Sequence, residues 1–483
     1  MHPSKPARLT VAIVGGGFTG GAIALHLATS RRQGLAIDIV VFEPRERLGA
    51  GLAYDTEESV HRINVPAGRM SLYPDAPGHF QDWIERTDAL KDDGEALAED
   101  GLHYPRRGLF GRYVADHLAP WLASGAVWHH RARVENIQRQ GPRWMVSAAD
   151  GLSIEADIVI LAATHPAPGL PGVLAGLRND PNLIADATRP DALASVGDTD
   201  RILIVGNGLT AADVIAALEA RGHTGDILSI SRRGLRSRGH APQVQEPFGD
   251  FLSQPAATAS DLLRRVRVTL RAAEAEGRTW HSVLDAVRAQ GQEIWQRLPV
   301  AERRRIARHV RPFWDVHRFR IAPQVEAAVE RAISAGRLTV LAASVAAAGA
   351  DAQGIWVTLK PRRSRQTVRR HVDKVIVTTG PDHGGVLASQ PFLASLARQG
   401  KVTACPTGLG ILCARDGRAI DAGGRVVDGL YVAGPLARGT FGELMGLPQV
   451  SDYAVFIAAR VGEDLAAWAA PDETAAAPSR ASA

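Results

Sequence analysis

Short stretches of the chain run apolar with almost no alternation: 11–14, 37–42, 158–161, 202–205, 374–377 and 429–433. Such runs read as strands buried on both faces, the pattern of a parallel sheet. Weaker strand signals lie at 127–130, 144–147, 338–341 and 355–359, and the basic stretch 360–371 reads as a hairpin turn. Between them the period changes. Residues 79–123 read as helices, with Phe80/Trp83/Ile84 and Tyr113/His117/Leu118 on their apolar faces, and so do 261–276, 282–296, 323–335 and 450–465. Alternation of buried strands and amphipathic helices predicts an α/β fold.

Two of the strands end in glycines. Val11-Ala-Ile-Val14 leads into Gly15-Gly16-Gly17-Phe18-Thr19-Gly20 and then into an apolar helix. In a strand, turn and helix of this GxGxxG type, Gly15 permits the turn, Gly17 lets the backbone approach a pyrophosphate, and Gly20 lets helix and strand pack closely. The next strand, 37–42, ends at Glu43, where an acid can hydrogen-bond a ribose hydroxyl. Glycine turn and acid together predict an adenine-dinucleotide site. A second unit starts at Ile202-Leu-Ile-Val205-Gly206-Asn-Gly208-Leu-Thr210-Ala211, a GxGxxA turn with Ala in the third position. Its following strand, 226–231, ends in Arg232-Arg233 with no acid, so two cations stand where a 2′-phosphate would lie. NADPH is therefore expected there in preference to NADH.

Composition narrows the class. With 483 residues and 45% hydrophobic content the chain can bury more than one core. No apolar run is long enough to span a bilayer and the first residues are polar, so a soluble cytoplasmic protein without a membrane partner is expected. The formal charge of +5 is modest and no nucleic-acid module is recognisable, which favours small anionic ligands over DNA or RNA. Cys405 and Cys413 are the only cysteines and form neither a CxxC pair nor a metal-ligand set, so no metal is expected. Oligomeric state is left open by the sequence. Pro166, Pro168 and Pro171 interrupt regular structure and place a hinge between about 165 and 200. Within the helical block, Arg311-Pro-Phe-Trp-Asp-Val-His-Arg-Phe-Arg320 mixes cations with aromatics, so part of it should be buried beside an anion. Either a cleft-facing His317 or Arg318 that meets a ligand, or an ion-pair cluster tying cap to core, satisfies that pattern.

Two Rossmann units in one chain, with late strands ending Thr-Thr-Gly380 and Ala-Gly434, resemble the flavoproteins with two dinucleotide-binding domains. The closer resemblance is to the broad family of FAD-NAD(P)-binding proteins, carried by Gly49-Ala-Gly51-Leu-Ala-Tyr54, Ile63-Asn64-Val-Pro66-Ala67, Met70-Ser71, Ser231-Arg232-Arg233-Gly234, Trp314-Asp315-Val-His317-Arg318 and Gly434-Pro435. It covers about 10 to 465. The resemblance implies that the first unit binds FAD, the second binds NAD(P)H, and the C-terminal segment returns to complete the first. The implied domains are 1–200 and 337–467 for FAD, 201–336 for NAD(P) with a helical insertion from about 258, and a disordered tail at 468–483. Implied FAD contacts are Gly15, Gly17, Phe18, Thr19, Gly20, Glu43, Tyr54, Asn64, Met70, Gly380, Gly434 and Pro435, and NADPH contacts are Gly206, Gly208, Thr210, Arg232 and Arg233. Where the superfamily often has Gly-Asp beside the ribityl chain, Pro435 follows Gly434, so contacts there would use backbone groups. Asn64, His317 and Arg318 are the candidates for a role in the chemistry. Relatives include N-hydroxylating flavin monooxygenases acting on amino acids, so the expected activity is an FAD-dependent NAD(P)H oxidoreductase, first a monooxygenase acting on a small polar amine or amino acid. A reductase of another acceptor, or a flavin-binding redox sensor with little turnover, are the alternatives.

Overall fold

The computed structural model describes residues 8–30 and 37–469; the expected disordered tail lies, from residue 470 on, outside the described residues. A six-stranded sheet holds the first unit, in the order Arg418–Ile420, Val426–Val432, Ile158–Leu161, Leu9–Val14, Ile37–Phe42 and Val127–His130. Leu9–Val14 lies between two parallel neighbours, with Val14 opposite both Phe42 and Leu161. Val11, Ala12 and Ile13 are fully buried there, which is why the strand is apolar on both faces. Helix Phe18–Ser30 covers this sheet and packs on Arg107–Ala123 and on the long last helix, Gln449–Ala469.

The second sheet has seven strands, in the order Val368–Val372, Gly354–Pro361, Leu338–Asp351, Ile227–Ser231, Ile202–Val205, Lys374–Val377 and Leu183–Ile184. This corrects the expected boundary at 337. Strands from 338 to 377 belong to the second sheet, and Lys374–Val377, expected to return to the first, pairs in parallel with Ile202–Val205. A run apolar on both faces fits the middle of either sheet, so its pattern carries no address. Leu183–Ile184, inside the expected hinge, is an edge strand of the same sheet. The chain thus crosses between sheets twice. The two crossings run side by side, with Pro168 bridged to Pro381 and the Thr379 hydroxyl donating to the Gly169 carbonyl at 3.1 Å. The first unit is discontinuous, as expected.

Residues 79–123 form two helices, His79–Thr87 and Arg107–Ala123. Asp88 takes a left-handed conformation (φ 49°) and ends the first. The irregular segment that follows is held by a buried ion pair, Arg62 Nη1 to both Asp93 oxygens at 2.7 Å. A small antiparallel sheet, Val134–Gln140, Arg143–Ala148 and Ser153–Ala156, is inserted before Ile158, and only its middle strand is legible in the sequence. The helical insertion comprises Ala259–Ala275, Trp280–Ala289, Gly291–Arg297, Val300–Arg305 and Arg311–Arg318 around Phe251, Val283, Ala286 and Leu298. Helix Pro323–Ser334 packs instead on Leu209–Ala220 of the second unit. Among the described residues no helix is long and apolar enough to cross a membrane.

Candidate functional site

The first glycine turn is built as its residue types require. Gly15 has φ +104°, and a Cβ there would meet the Ala162 carbonyl oxygen at 2.6 Å, so the strand can turn under Ile158–Leu161 only without a side chain. A Cβ on Gly20 would collide with the Gly15 carbonyl, so this glycine sets the closeness of helix and strand. A Cβ on Gly17 would touch only the Gly51 Cα, at 3.4 Å, and Gly17 faces an open cleft. Gly21 N–H donates back to the Gly17 carbonyl, and the first N–H groups of the helix have no intrahelical acceptor. Glu43, 4% exposed, ends the neighbouring strand; its Oε2 accepts from Gly16 N–H at 3.0 Å and its Oε1 from Arg45 N–H at 3.0 Å. A negative carboxylate and a positive helix end thus stand side by side at the cleft wall.

The second turn repeats the first. Gly206 has φ +124°, with the Thr378 carbonyl where a Cβ would go. Asn207 is buried between the turn and the next strand, where its Oδ1 accepts from the Ser229 hydroxyl and its Nδ2 donates to the Ser231 Oγ at 3.3 Å. Thr210 and Asp213, in the first turns of Leu209–Ala220, line the cleft. Asp213 takes a bidentate pair from Arg107 of the first unit, at 3.0 and 3.2 Å, which joins the two helices across the cleft wall.

The cleft encloses about 1620 Å3, above the roughly 300–1,000 Å3 of a drug-sized site. It is bounded by the first glycine turn, the start of Leu209–Ala220, the loop around Asn64, the crossing at His165–Pro168, and the insertion. From the insertion comes a polar stripe on Trp280–Ala289: His281, Asp285 and Arg288, one helical face by spacing. Arg320 pairs with Asp285 in bidentate fashion at 2.7 and 3.1 Å. His240 Nε2 donates to the Asn64 carbonyl at 3.0 Å, and burial followed by the Arg320 charge holds its pKa down to about 4. Burial and Arg320 likewise lower His281 to about 4. Both imidazoles are neutral at neutral pH.

Most predicted first-unit residues meet at this cleft: Gly15, Gly17, Phe18, Thr19, Glu43, Tyr54, Asn64, Met70 and Pro435. Gly20 and Gly434 lie behind the wall; a Cβ on Gly434 would meet the Thr19 Oγ1 at 2.7 Å, so the last strand's end presses on the first helix. Gly380 lines the cleft from the second sheet, a correction to its expected place in the first. Gly206 and Gly208 hold their turn from outside the lining. Arg232 is exposed, and Arg233 stacks its guanidinium 4.7 Å from the Phe313 ring centroid; neither lines the cleft. Arg311 of the insertion lies beside them, its pKa lowered by burial and further by Arg438 and Arg232.

The aromatic-basic segment resolves into two outcomes. His317 turns away from the cleft, donating from Nδ1 to the Phe313 carbonyl at 2.7 Å with its ring against Trp280, so its expected place facing a ligand is corrected. Arg318 does border the cleft, but its Nε donates to buried Glu443 at 2.9 Å while Trp314 Nε1 donates to the other Glu443 oxygen at 2.7 Å. Burial pushes the Glu443 pKa up, yet Arg318, Arg438 and these two bonds outweigh it and hold the carboxyl below its ordinary value. Asp315, one residue on from Trp314, has an Oδ1 with no hydrogen bond, 3.6 Å from Arg438, and burial raises its pKa. Sequence reasoning missed Glu443, His240, Asp285 and Arg288. Only the spacing 281, 285, 288, a polar stripe on an otherwise apolar helix, could have pointed to any of them. Cys405 and Cys413 are both buried and neither lines the cleft.

Residues 12–166 match the model of a family described as FAD-NAD(P)-binding. No curated protein matches the chain in sequence. Among solved structures it is similar to the reduced form of ornithine hydroxylase PvdA from Pseudomonas aeruginosa, at 17% identity and TM-score 0.65 over 95% of this chain and 100% of that one. L-Lysine 6-monooxygenase from Pseudomonas syringae gives 19% identity and TM-score 0.62 over 96% and 100%. Kutzneria sp. 744 ornithine N-hydroxylase KtzI, with reduced FAD, NADP+ and L-ornithine, gives 15% and 0.62 over 96% and 100%. At these identities the likeness is one of fold.

Proposed function

We propose that the protein is an FAD-dependent NADPH oxidoreductase that works as a monooxygenase on the amine of a small polar substrate such as an amino acid. One observation carries the reading: a single cleft is bordered by the starts of both glycine-turn helices and by the polar face of the insertion. Two dinucleotides held by separate units can bring their reactive ends together only in such a shared space. The match at 12–166 and the fold of the amine hydroxylases support the same assignment.

The residues present fit FAD. The free N–H groups at the start of Phe18–Ser30 would receive its pyrophosphate, over the side-chain-free surface of Gly17, and Glu43 its ribose hydroxyls. Tyr54, Asn64, Met70 and Pro435 would border the remainder. Leu209–Ala220 offers a second helix start for NADPH, with Arg232 and Arg233 at the end of the adjacent strand for a 2′-phosphate. When bound, FAD supplies hydride acceptance from NADPH and, once reduced, reaction with O2. The chain's own part is orientation and exclusion of water. Neutral His240 fixes the Asn64 loop through its carbonyl, and Arg320 holds Asp285 in place at the insertion wall.

The test is NADPH consumption by the purified FAD-loaded protein in air, with L-ornithine, L-lysine or cadaverine added, hydroxylamine product and hydrogen peroxide being measured together. Hydroxylamine formed in step with NADPH, and peroxide falling as it does, is the expected result. NADPH oxidation that yields only peroxide, whichever amine or amino acid is present, would overturn the monooxygenase assignment and leave an oxidoreductase of another kind.

A further inference from the structure

Three guanidinium groups meet at the insertion end of the cleft, and only two have carboxylates. Arg318 is paired with Glu443 and Arg320 with Asp285. Arg288, on the same wall, has only neutral acceptors: its Nη2 donates to the Leu447 carbonyl at 2.6 Å and to Gln449 Oε1 at 3.0 Å, and its Nε to that same oxygen at 3.3 Å. Among the described residues its Nη1 makes no hydrogen bond, and it is not sealed from solvent. Burial and the neighbouring Arg318 lower the Arg288 pKa to about 9, which still leaves it charged at neutral pH. The Glu443 and Asp285 charges reach Arg288 only from beyond ion-pair distance and are engaged by Arg318 and Arg320. An arginine that is largely desolvated and flanked by two others, without a paired carboxylate of its own, is costly to keep. A ligand anion in the cleft would remove that cost, and the fork geometry of Arg288, with one nitrogen free, suits a carboxylate.

We propose that Arg288 is the receptor for an anionic group of the substrate, of the carboxylate class, so that the protein takes amino acids in preference to simple amines and diamines. The proposal deepens the reading above and rests on it for the reaction that follows binding. Leu447, just before the last helix, and Gln449, its first residue, hold the guanidinium, while Asp285, one turn earlier on the Arg288 helix, is paired with Arg320. A bound carboxylate would fix one end of the substrate against the insertion and leave the other end to reach toward the Asn64 loop.

Binding can be read without turnover. The FAD-loaded protein is titrated with pentanoate, 5-aminopentanoate and pentylamine, following flavin absorbance and melting temperature. Saturable binding of both carboxylates, weakened about tenfold or more in Arg288→Ala and largely regained in Arg288→Lys, is expected, with pentylamine binding weakly in all three. Should Arg288→Ala fail to fold, Arg288→Gln keeps a donor for the Leu447 carbonyl without the charge and serves in its place. Pentylamine binding as tightly as pentanoate, or carboxylate binding indifferent to the substitutions, overturns the proposal. So does a variant in which only the KM for NADPH rises, because the anion at Arg288 would then be a dinucleotide phosphate. The two readings fail separately. Arg288-dependent carboxylate binding without any hydroxylated product leaves this site standing and removes the monooxygenase; hydroxylation of L-ornithine and putrescine with the same kcat/KM in wild type and Arg288→Gln does the reverse.

Discussion

At the scale of single residues, the glycine and arginine positions make separate predictions. A Cβ at Gly17 would meet only the Gly51 Cα, at 3.4 Å, and faces the open cleft, so Gly17→Val should fold and yet lose FAD, because the added methyl groups occupy the path of the pyrophosphate. Flavin stoichiometry and circular dichroism on one preparation check this; a folded variant with full FAD would refute it. Replacing Arg232 and Arg233 together by Ala should raise the KM for NADPH about tenfold or more while changing that for NADH little, since each charge-assisted bond is worth roughly 1.5–3 kcal/mol. Equal changes would mean that the pair does not read a 2′-phosphate and that the stack of Arg233 on Phe313 is its whole role. His240 sets a pH dependence. Its pKa is held at about 4 against an ordinary 6.5, so the unfolded chain takes up the proton first. The stability that neutral His240 contributes is present above pH 6.5 and is lost as pH falls from there to about 4. The loss is on the order of 3 kcal/mol at most. Melting curves across that window should flatten in His240→Gln, and unchanged curves would contradict the assignment.

At the scale of elements, the docking of Arg311–Arg318 onto the segment after Gly434 turns on Glu443, which takes Trp314 and Arg318 from successive turns of one helix. Arg318→Ala strands a buried carboxylate, a loss of roughly 3–5 kcal/mol. The variant should melt well below wild type. Replacing both partners by similar-sized apolar residues, as in Arg318→Met with Glu443→Leu, should recover much of that loss, because no charge is then left unpaired. A single variant as stable as wild type would show the pair to be idle. Helix-period patterning in 261–296 and the basic-aromatic run at 311–320 were both legible in the sequence, including the need for a buried anion near the latter. Which anion was not, because Glu443 is remote in the chain and stands among residues whose spacing marks no face.

At the scale of the molecule, both sheets contribute to one main core, while the other face of the second sheet closes over a separate cluster that includes Leu203, Ile230, Val375 and Val377. The main buried cluster runs from Val11 and Ile13 through Val214 and Ile215 of the second unit to Ile376, Ile457 and Leu465. Arg107–Asp213 and His240–Asn64 join the units again at the cleft. The protein should therefore unfold in one cooperative calorimetric transition despite its two nucleotide units. Two resolved transitions would show that the shared core does not couple them.

Local chemistry determined much of this protein without any tertiary information. Strands buried on both faces must be apolar and a turn at φ +104° must be glycine; so both glycine-turn units, the place of Glu43 at the end of the second strand and the α/β class could be read directly. Assignment of strands to sheets could not. Lys374–Val377 carries the same apolar signature as Val426–Val432, and only hydrogen-bonded register with Ile202–Val205 sends one to the second sheet and the other to the first. The insertion wall of the cleft was decided the same way. Arg288 is one arginine among many until folding sets it beside Arg318 and Arg320, gives carboxylates to those two, and leaves the third facing the cleft with none.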